Sequence, residues 1–276
     1  MTFQLRVERA LTKSPICIGL DPDLNKLPSA FKKEPASILE FNKKIIETTC
    51  DLAGAYKPNF AFYEAFGAQG WEILGATIRF IRSAAPETII IADAKRGDIG
   101  NTAALYAQSV FHHLGCDAIT VSPYMGLDSV QPFIADKNYG AFVLCLTSNE
   151  GSKDFQYRTI EDKKMYEFVA EKVSGWNNHR NCGLVVGATH SDEMAAVRKI
   201  SGAMPFLIPG IGAQGGDLES AVKINFDGQK VNAFINSSRA ILYASGGNDF
   251  AEAARKAVLT MKNQIEAVIL KNKEVK

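Results

Sequence analysis

Asp93 and Lys95 stand two residues apart, a spacing that can put an acid and a base on one face of a strand. They open the segment Asp93-Ala-Lys-Arg-Gly-Asp98-Ile-Gly-Asn-Thr102, which follows the β-branched run at residues 88–91. That run predicts a buried strand, on which Ile91, Asp93 and Lys95 share a face. Asp98 and Thr102 fall just past the strand end, where loops carry chemistry. Two acids flanking one lysine can hold it charged or aim its proton at a reacting carbon.

Such a cluster needs a scaffold that brings strand ends together. Short apolar runs recur at residues 16–20, 53–60, 88–94, 118–121, 141–146, 183–188, 205–211 and 233–242. Amphipathic segments lie between them. Ile38, Phe41, Ile45, Thr49 and Leu52 repeat at three and four, as do Phe250, Ala254, Ala257, Met261, Ile265 and Val268. Eight strand–helix units predict an α/β fold, a (β/α)8 TIM barrel, over a single domain spanning 1–276. A doubly wound open sheet fits the same alternation, but the count of eight and the lack of an early GxGxxG favour the barrel. In either fold the active site sits at the carboxyl ends of the strands.

Polar residues cluster at those ends. Asp21 closes the first run, Lys57 and Asn59 share a face in the second, and Thr147 and Ser148 end the fifth. Ser237-Ser238-Arg239 reads as part of the eighth. Lys57, Asp93, Lys95 and Asp98 alternate in sign, the arrangement a buried cluster requires. A purely structural ion-pair network would have the same signs. Residues 209–216, Pro-Gly-Ile-Gly-Ala-Gln-Gly-Gly, follow the seventh run, where barrels often bind phosphate. Gln214 could add a hydrogen bond there and Arg239 a bidentate clamp. The plainer reading is a flexible loop beside a surface arginine.

The bulk numbers narrow the function classes. Net charge is +1 with 46% hydrophobic and 22% charged residues, which gives no ground for a nucleic-acid surface. No apolar stretch approaches the roughly 20 residues of a membrane span. The polar start MTFQLRVERA is unlike a signal peptide. Five cysteines, none at CxxC spacing, predict a reducing compartment without disulfides, so the cytoplasm is expected. His112 and His113 read as packing or capping groups in a helix. No His, Asp or Glu group has metal-ligand spacing, which favours a cofactor-free reaction.

The extended pattern Asp93-x-Lys95-x-x-Asp98-Ile99-x-x-Thr102 resembles the signature of the orotidine 5′-phosphate decarboxylases, the last enzymes of pyrimidine synthesis. The shorter Asp-x-Lys-x-x-Asp core is shared with related sugar-phosphate lyases. Asp21 and Lys57 look like the family's first-strand aspartate and second-strand lysine. Ser148 looks like its pyrimidine-contacting serine, residues 209–216 like its phosphate loop, and Arg239 like its phosphate arginine. The Arg-Gly after Lys95 and the length are most similar to the longer bacterial branch, type 2. Serine 238 stands where many members have glycine, and the stretch 149–176 is longer than a minimal barrel needs.

This resemblance implies conversion of orotidine 5′-phosphate to uridine 5′-phosphate and CO2, with no cofactor and no metal. It makes Lys95 the proton donor, Asp93 its partner and Asp98 the neighbour of the substrate carboxylate. Lys57, counted among the catalytic residues, and Asp21 would meet the ribose and complete the charge chain, with Asn59 a weaker addition, and Ser148 would meet the base. Pro209, Gln214, Ser238 and Arg239 would meet the phosphate. It also implies a homodimer in which Asp98, Ile99 and Thr102 enter the neighbouring site.

Overall fold

In the computed structural model, which describes residues 1–211 and 217–274, the β-branched runs form parallel strands. They are β1 (Ile16–Leu20), β2 (Ala55–Pro58), β3 (Ile89–Arg96), β4 (Ala118–Val121) and β5 (Gly140–Leu146). After a small hairpin of β6 (Thr159–Ile160) and β7 (Lys163–Lys164) come β8 (Cys182–Val186), β9 (Phe206–Ile208) and β10 (Ala233–Ser237). The sheet closes in the order β1-β10-β9-β8-β5-β4-β3-β2. Ile16, Cys17 and Ile18 pair with Ile235, Asn236 and Ser237. That closure decides for the TIM barrel over the open sheet.

The helices cover the outside. They are α1 (Phe3–Lys13), α2 (Ala36–Thr49), α3 (Ala61–Glu64), α4 (Gly67–Ala84), α5 (Gly100–Gln108) and α6 (Leu127–Ile134). Then follow α7 (Ser152–Phe155), α8 (Met165–Trp176), α9 (Ser191–Ser201), α10 (Leu218–Asn225), α11 (Arg239–Leu242) and α12 (Phe250–Glu274). In α2 the expected stripe Ile38, Phe41 and Ile45 is buried together with Ile46. His112 and His113 lie in a π-helical turn that ends α5, the ring of His112 edge-on to Tyr139.

Alternation along the strands divides the core in two. Ile16, Ile18, Tyr56, Ile90 and Ala92 face the helices. Cys17, Ala55, Ile89, Ile91, Ala118, Phe142, Val185, Leu207 and Phe234 fill the barrel interior. Interior space is shared tightly: a Cβ on Gly183 would stand 2.5 Å from the Phe142 ring. One layer above these apolar residues the inward positions become Lys57, Asp93, Thr120 and Asn236, so the functional layer rests on a packed floor.

The polar-looking N-terminus forms α1, which plugs the bottom of the barrel with Phe3, Val7, Ala10 and Leu11. Asp117 anchors the same end. Its buried carboxylate accepts from Arg6 of α1, from Arg82 of α4 at 2.8 Å and from the Ile90 N–H at 2.8 Å. Much of the stretch 149–176 is α7, the hairpin and the crossover helix α8. The eighth strand is shorter than read from sequence. It stops at Ser237, Ser238 is an N-cap, and Arg239 begins α11.

Candidate active site

The carboxyl ends of the strands surround a cavity of about 340 Å³. Asp93 stands at its centre as a forked anchor. Its Oδ2 accepts from Lys57 Nζ at 2.8 Å and its Oδ1 from Lys95 Nζ at 2.6 Å. Lys57 Nζ also lies 3.8 Å from Asp21 Oδ1. Burial works against the Lys57 charge, but Asp21 and Asp93 outweigh it and hold the ammonium well above the ordinary lysine range. Burial likewise opposes the Asp93 carboxylate, and the two lysines outweigh it, holding this acid well below its usual range. The two lysines differ in access. The Lys57 side chain is 5% exposed and that of Lys95 51%, so Lys95 presents its charge to the cavity.

The rim is built from turns held by their own hydrogen bonds. Tyr243 donates its hydroxyl to the Asp21 carbonyl at 3.0 Å and accepts the Asp23 N–H at 2.6 Å, which fixes the turn after β1. Asp23 in turn caps the short 3-10 turn that follows. Asn59 lines the cavity and also caps α3, its Oδ1 accepting the Ala61 N–H at 3.3 Å. After β5, Gln156 grips Thr147 twice, at 2.8 Å to the main-chain N–H and 2.8 Å to the hydroxyl. Ser148 is thereby turned inward. Its Oγ and Asp21 Oδ1 are buried atoms with no hydrogen-bond partner among the described residues.

Gly187 makes room for Ser148, since a Cβ there would stand 2.2 Å from the serine hydroxyl. Gly187→Ala should therefore displace the Ser148 hydroxyl, and a substrate that bonds to this hydroxyl should lose about tenfold in kcat/KM, the worth of one hydrogen bond. Steady-state kinetics beside a thermal melt would separate this from overpacking.

Pro209, Ser238 and Arg239 line the opposite wall with Gly210 and Ile211. Gln214 lies outside the described residues. Asp98, Ile99 and Thr102 are not brought to this cavity. Asp98 Oδ1 accepts the Ile99 N–H at 2.8 Å, while Ile99 (53% exposed) and Thr102 face outward on and before α5. Among the described residues no three His, Cys, Asp or Glu side chains come together as metal ligands.

Besides Gln156, three contributors carry no signal in the local sequence. Thr120 donates to Asp93 Oδ1 at 3.0 Å. Asn236 lines the cavity, accepts from Cys17 Sγ at 3.4 Å and donates to Ser238 Oγ at 3.4 Å. Burial pushes the Cys17 thiol up to about 12, so it acts as a neutral donor. Tyr243 is the third. Its contacts cross from one end of the chain to the other, and no local spacing announces them.

Residues 14–257 match the Orotidine 5′-phosphate decarboxylase / HUMPS family. The chain belongs to this family. An orotidine 5′-phosphate decarboxylase of Dehalococcoides mccartyi is 50% identical over 257 residues, 92% of each chain. Among solved structures, Leishmania donovani OMP decarboxylase superposes with a TM-score of 0.86 at 40% identity, covering 98% of this chain and all of that one. Leishmania donovani UMP synthase gives 0.88 at 41% identity over 98% of this chain, which spans only 57% of that longer protein. The family resemblance read from residues 93–102 is thus borne out across nearly the whole chain. No helix among the described residues is long and apolar enough to cross a membrane.

Proposed function

We propose that this site decarboxylates orotidine 5′-phosphate to uridine 5′-phosphate and CO2, a step of pyrimidine synthesis, within one catalytic domain. The observation that carries the reading is the buried Asp93 carboxylate, one ammonium on each oxygen, lining a substrate-sized cavity at the carboxyl ends of the barrel strands. The names of the relatives support the same substrate.

Loss of CO2 from C6 leaves an electron pair on an sp2 carbon that the ring delocalises poorly. The Lys95 ammonium, fixed beforehand, stabilises that pair electrostatically and delivers its proton to C6. The neutral amine left behind takes a proton back from solvent. Asp93 keeps Lys95 charged and oriented. Lys57 and Asp21 meet the ribose hydroxyls, with Asn59 beside them. Ser148 satisfies its unpartnered hydroxyl on the pyrimidine. Arg239, Gln214 and the backbone near Pro209 and Ser238 take the phosphate. That group is remote from C6, so its binding energy can serve positioning and closure. No cofactor enters this scheme.

The reading includes a cytoplasmic homodimer with shared sites. Ile99, Leu105, Tyr124 and Met125 are large apolar residues exposed near the α5 face, with Tyr124 82% exposed. The partner subunit's Asp98 would approach the substrate carboxylate, where like charge disfavours the bound ground state. The partner subunit's Ile99 and the partner subunit's Thr102 would enter with it. Lys95→Ala and Asp98→Ala enzymes, each nearly inert, should recover about a quarter of wild-type activity after subunit mixing. No recovery in a mixture shown to contain heterodimers would place Asp98 in its own subunit's site.

Product analysis tests the reaction itself. With EDTA present, orotidine 5′-phosphate should yield uridine 5′-phosphate and CO2 in equal amounts. Inertness toward it, with magnesium-dependent turnover of a sugar phosphate, would assign the site to a metal-assisted lyase instead.

A further inference from the structure

The strands β3 and β4 pair regularly as far as Ala92 with Ile119, and pairing resumes at Arg96 with Val121. Asp93, Ala94 and Lys95 therefore stand opposite the single residue Thr120. This is a bulge, a device that re-aims a side chain at the cost of local regularity. The extra chain is absorbed at Lys95, whose φ is +46°. That is the left-handed region, which lysine seldom occupies unless its surroundings impose it.

One hydroxyl supplies the constraint. The Lys95 main-chain N–H donates to Thr120 Oγ1 at 3.0 Å. The same Oγ1 donates its proton to Asp93 Oδ1 at 3.0 Å. Asp93 Oδ1 is also the oxygen that receives Lys95 Nζ at 2.6 Å. Thr120 is 1% exposed, so water does not compete for these bonds. A single side chain thus holds the lysine at both ends, at its left-handed backbone and through the carboxylate that receives its ammonium.

We propose that Thr120 is a positioning residue for Lys95, the group that locks the bulge and sets where the ammonium points. The inference rests on the decarboxylase reading and extends it to a residue on a neighbouring strand. A valine would fill the same volume, so the hydroxyl is the part that matters. Misplacing a reacting group by about an ångström costs on the order of a hundredfold in rate.

The test compares kcat and KM of wild type, Thr120→Val, Thr120→Ser and Thr120→Ala with orotidine 5′-phosphate, each variant checked by thermal melt. Thr120→Val should lower kcat about 30-fold with KM within about threefold of wild type, and Thr120→Ser should restore kcat to within about threefold. If the valine variant does not fold, the serine and alanine pair reads the same hydroxyl effect. Unchanged kcat in folded Thr120→Val would overturn the inference, as would equal losses in the serine and alanine variants. A rise in KM alone would also overturn it, making Thr120 a ligand contact. Wild type inert toward the substrate would remove the decarboxylase reading first, an outcome distinct from all of these.

Discussion

Lys95→Ala should lower kcat by about 10⁴-fold or more while leaving the fold and product binding largely intact. The magnitude combines two losses. A preorganised charge aimed at a developing carbanion is worth on the order of 10² to 10³, and a positioned proton donor contributes a comparable factor. The fold should survive because the Lys95 side chain is half exposed and, among the described residues, its ion pair is with Asp93. Product binding should survive because the wall proposed to take the phosphate, at Pro209, Ser238 and Arg239, is built from other strands of the barrel. Single-turnover kinetics and a uridine 5′-phosphate titration would check both halves. A variant that kept a tenth of the wild-type kcat would remove Lys95 from the chemistry.

Asp93→Asn should damage stability and turnover together. It strips the carboxylate from two ammonium groups at once. Lys57 is left buried with Asp21 at 3.8 Å as its remaining acid. Breaking a buried pair by removing one partner costs about 3–5 kcal/mol. Activity should fall by about 10³-fold, because Lys95 loses its anchor.

The stability gap between wild type and this variant should depend on pH in a defined way. The Asp93 pKa is depressed in the folded protein, so its contribution is full above the unfolded carboxylate value of about 3.9 and is lost as pH falls below it. The Lys57 pKa is raised, so its contribution is full below about 10.4 and is lost as pH rises beyond that. The gap should be flat between roughly pH 5 and pH 9 and narrow outside that window. Denaturant midpoints at several pH values would measure it. A gap that stayed constant below about pH 4 would mean that the Asp93 charge does not hold the network together.

Much of this architecture was legible because strand and charge signals coincide. Buried parallel strands leave runs of apolar residues, and each barrel strand falls within or beside one of the eight runs. Asp21, Lys57, Asp93 and Lys95 stand in or beside those runs, where a buried charge is costly unless it is paired. Three features resisted for physical reasons. Helix α1 hides its apolar stripe among charges, because only Phe3, Val7, Ala10 and Leu11 need face the barrel. Thr120 sits in Ala-Ile-Thr-Val, where threonine is an ordinary strand former, and its hydroxyl matters only through a bulge on another strand. The last strand reads past its end because Ile241 and Leu242 are buried too, as a helix rather than a strand.

The most direct test of the account is an ultraviolet assay of orotidine 5′-phosphate turnover by wild type and Lys95→Ala, both with EDTA present. Wild type should rapidly consume the orotate chromophore, and the variant should lose nearly all activity. A folded, dimeric wild type that leaves the chromophore untouched, or a variant as fast as wild type, would contradict it.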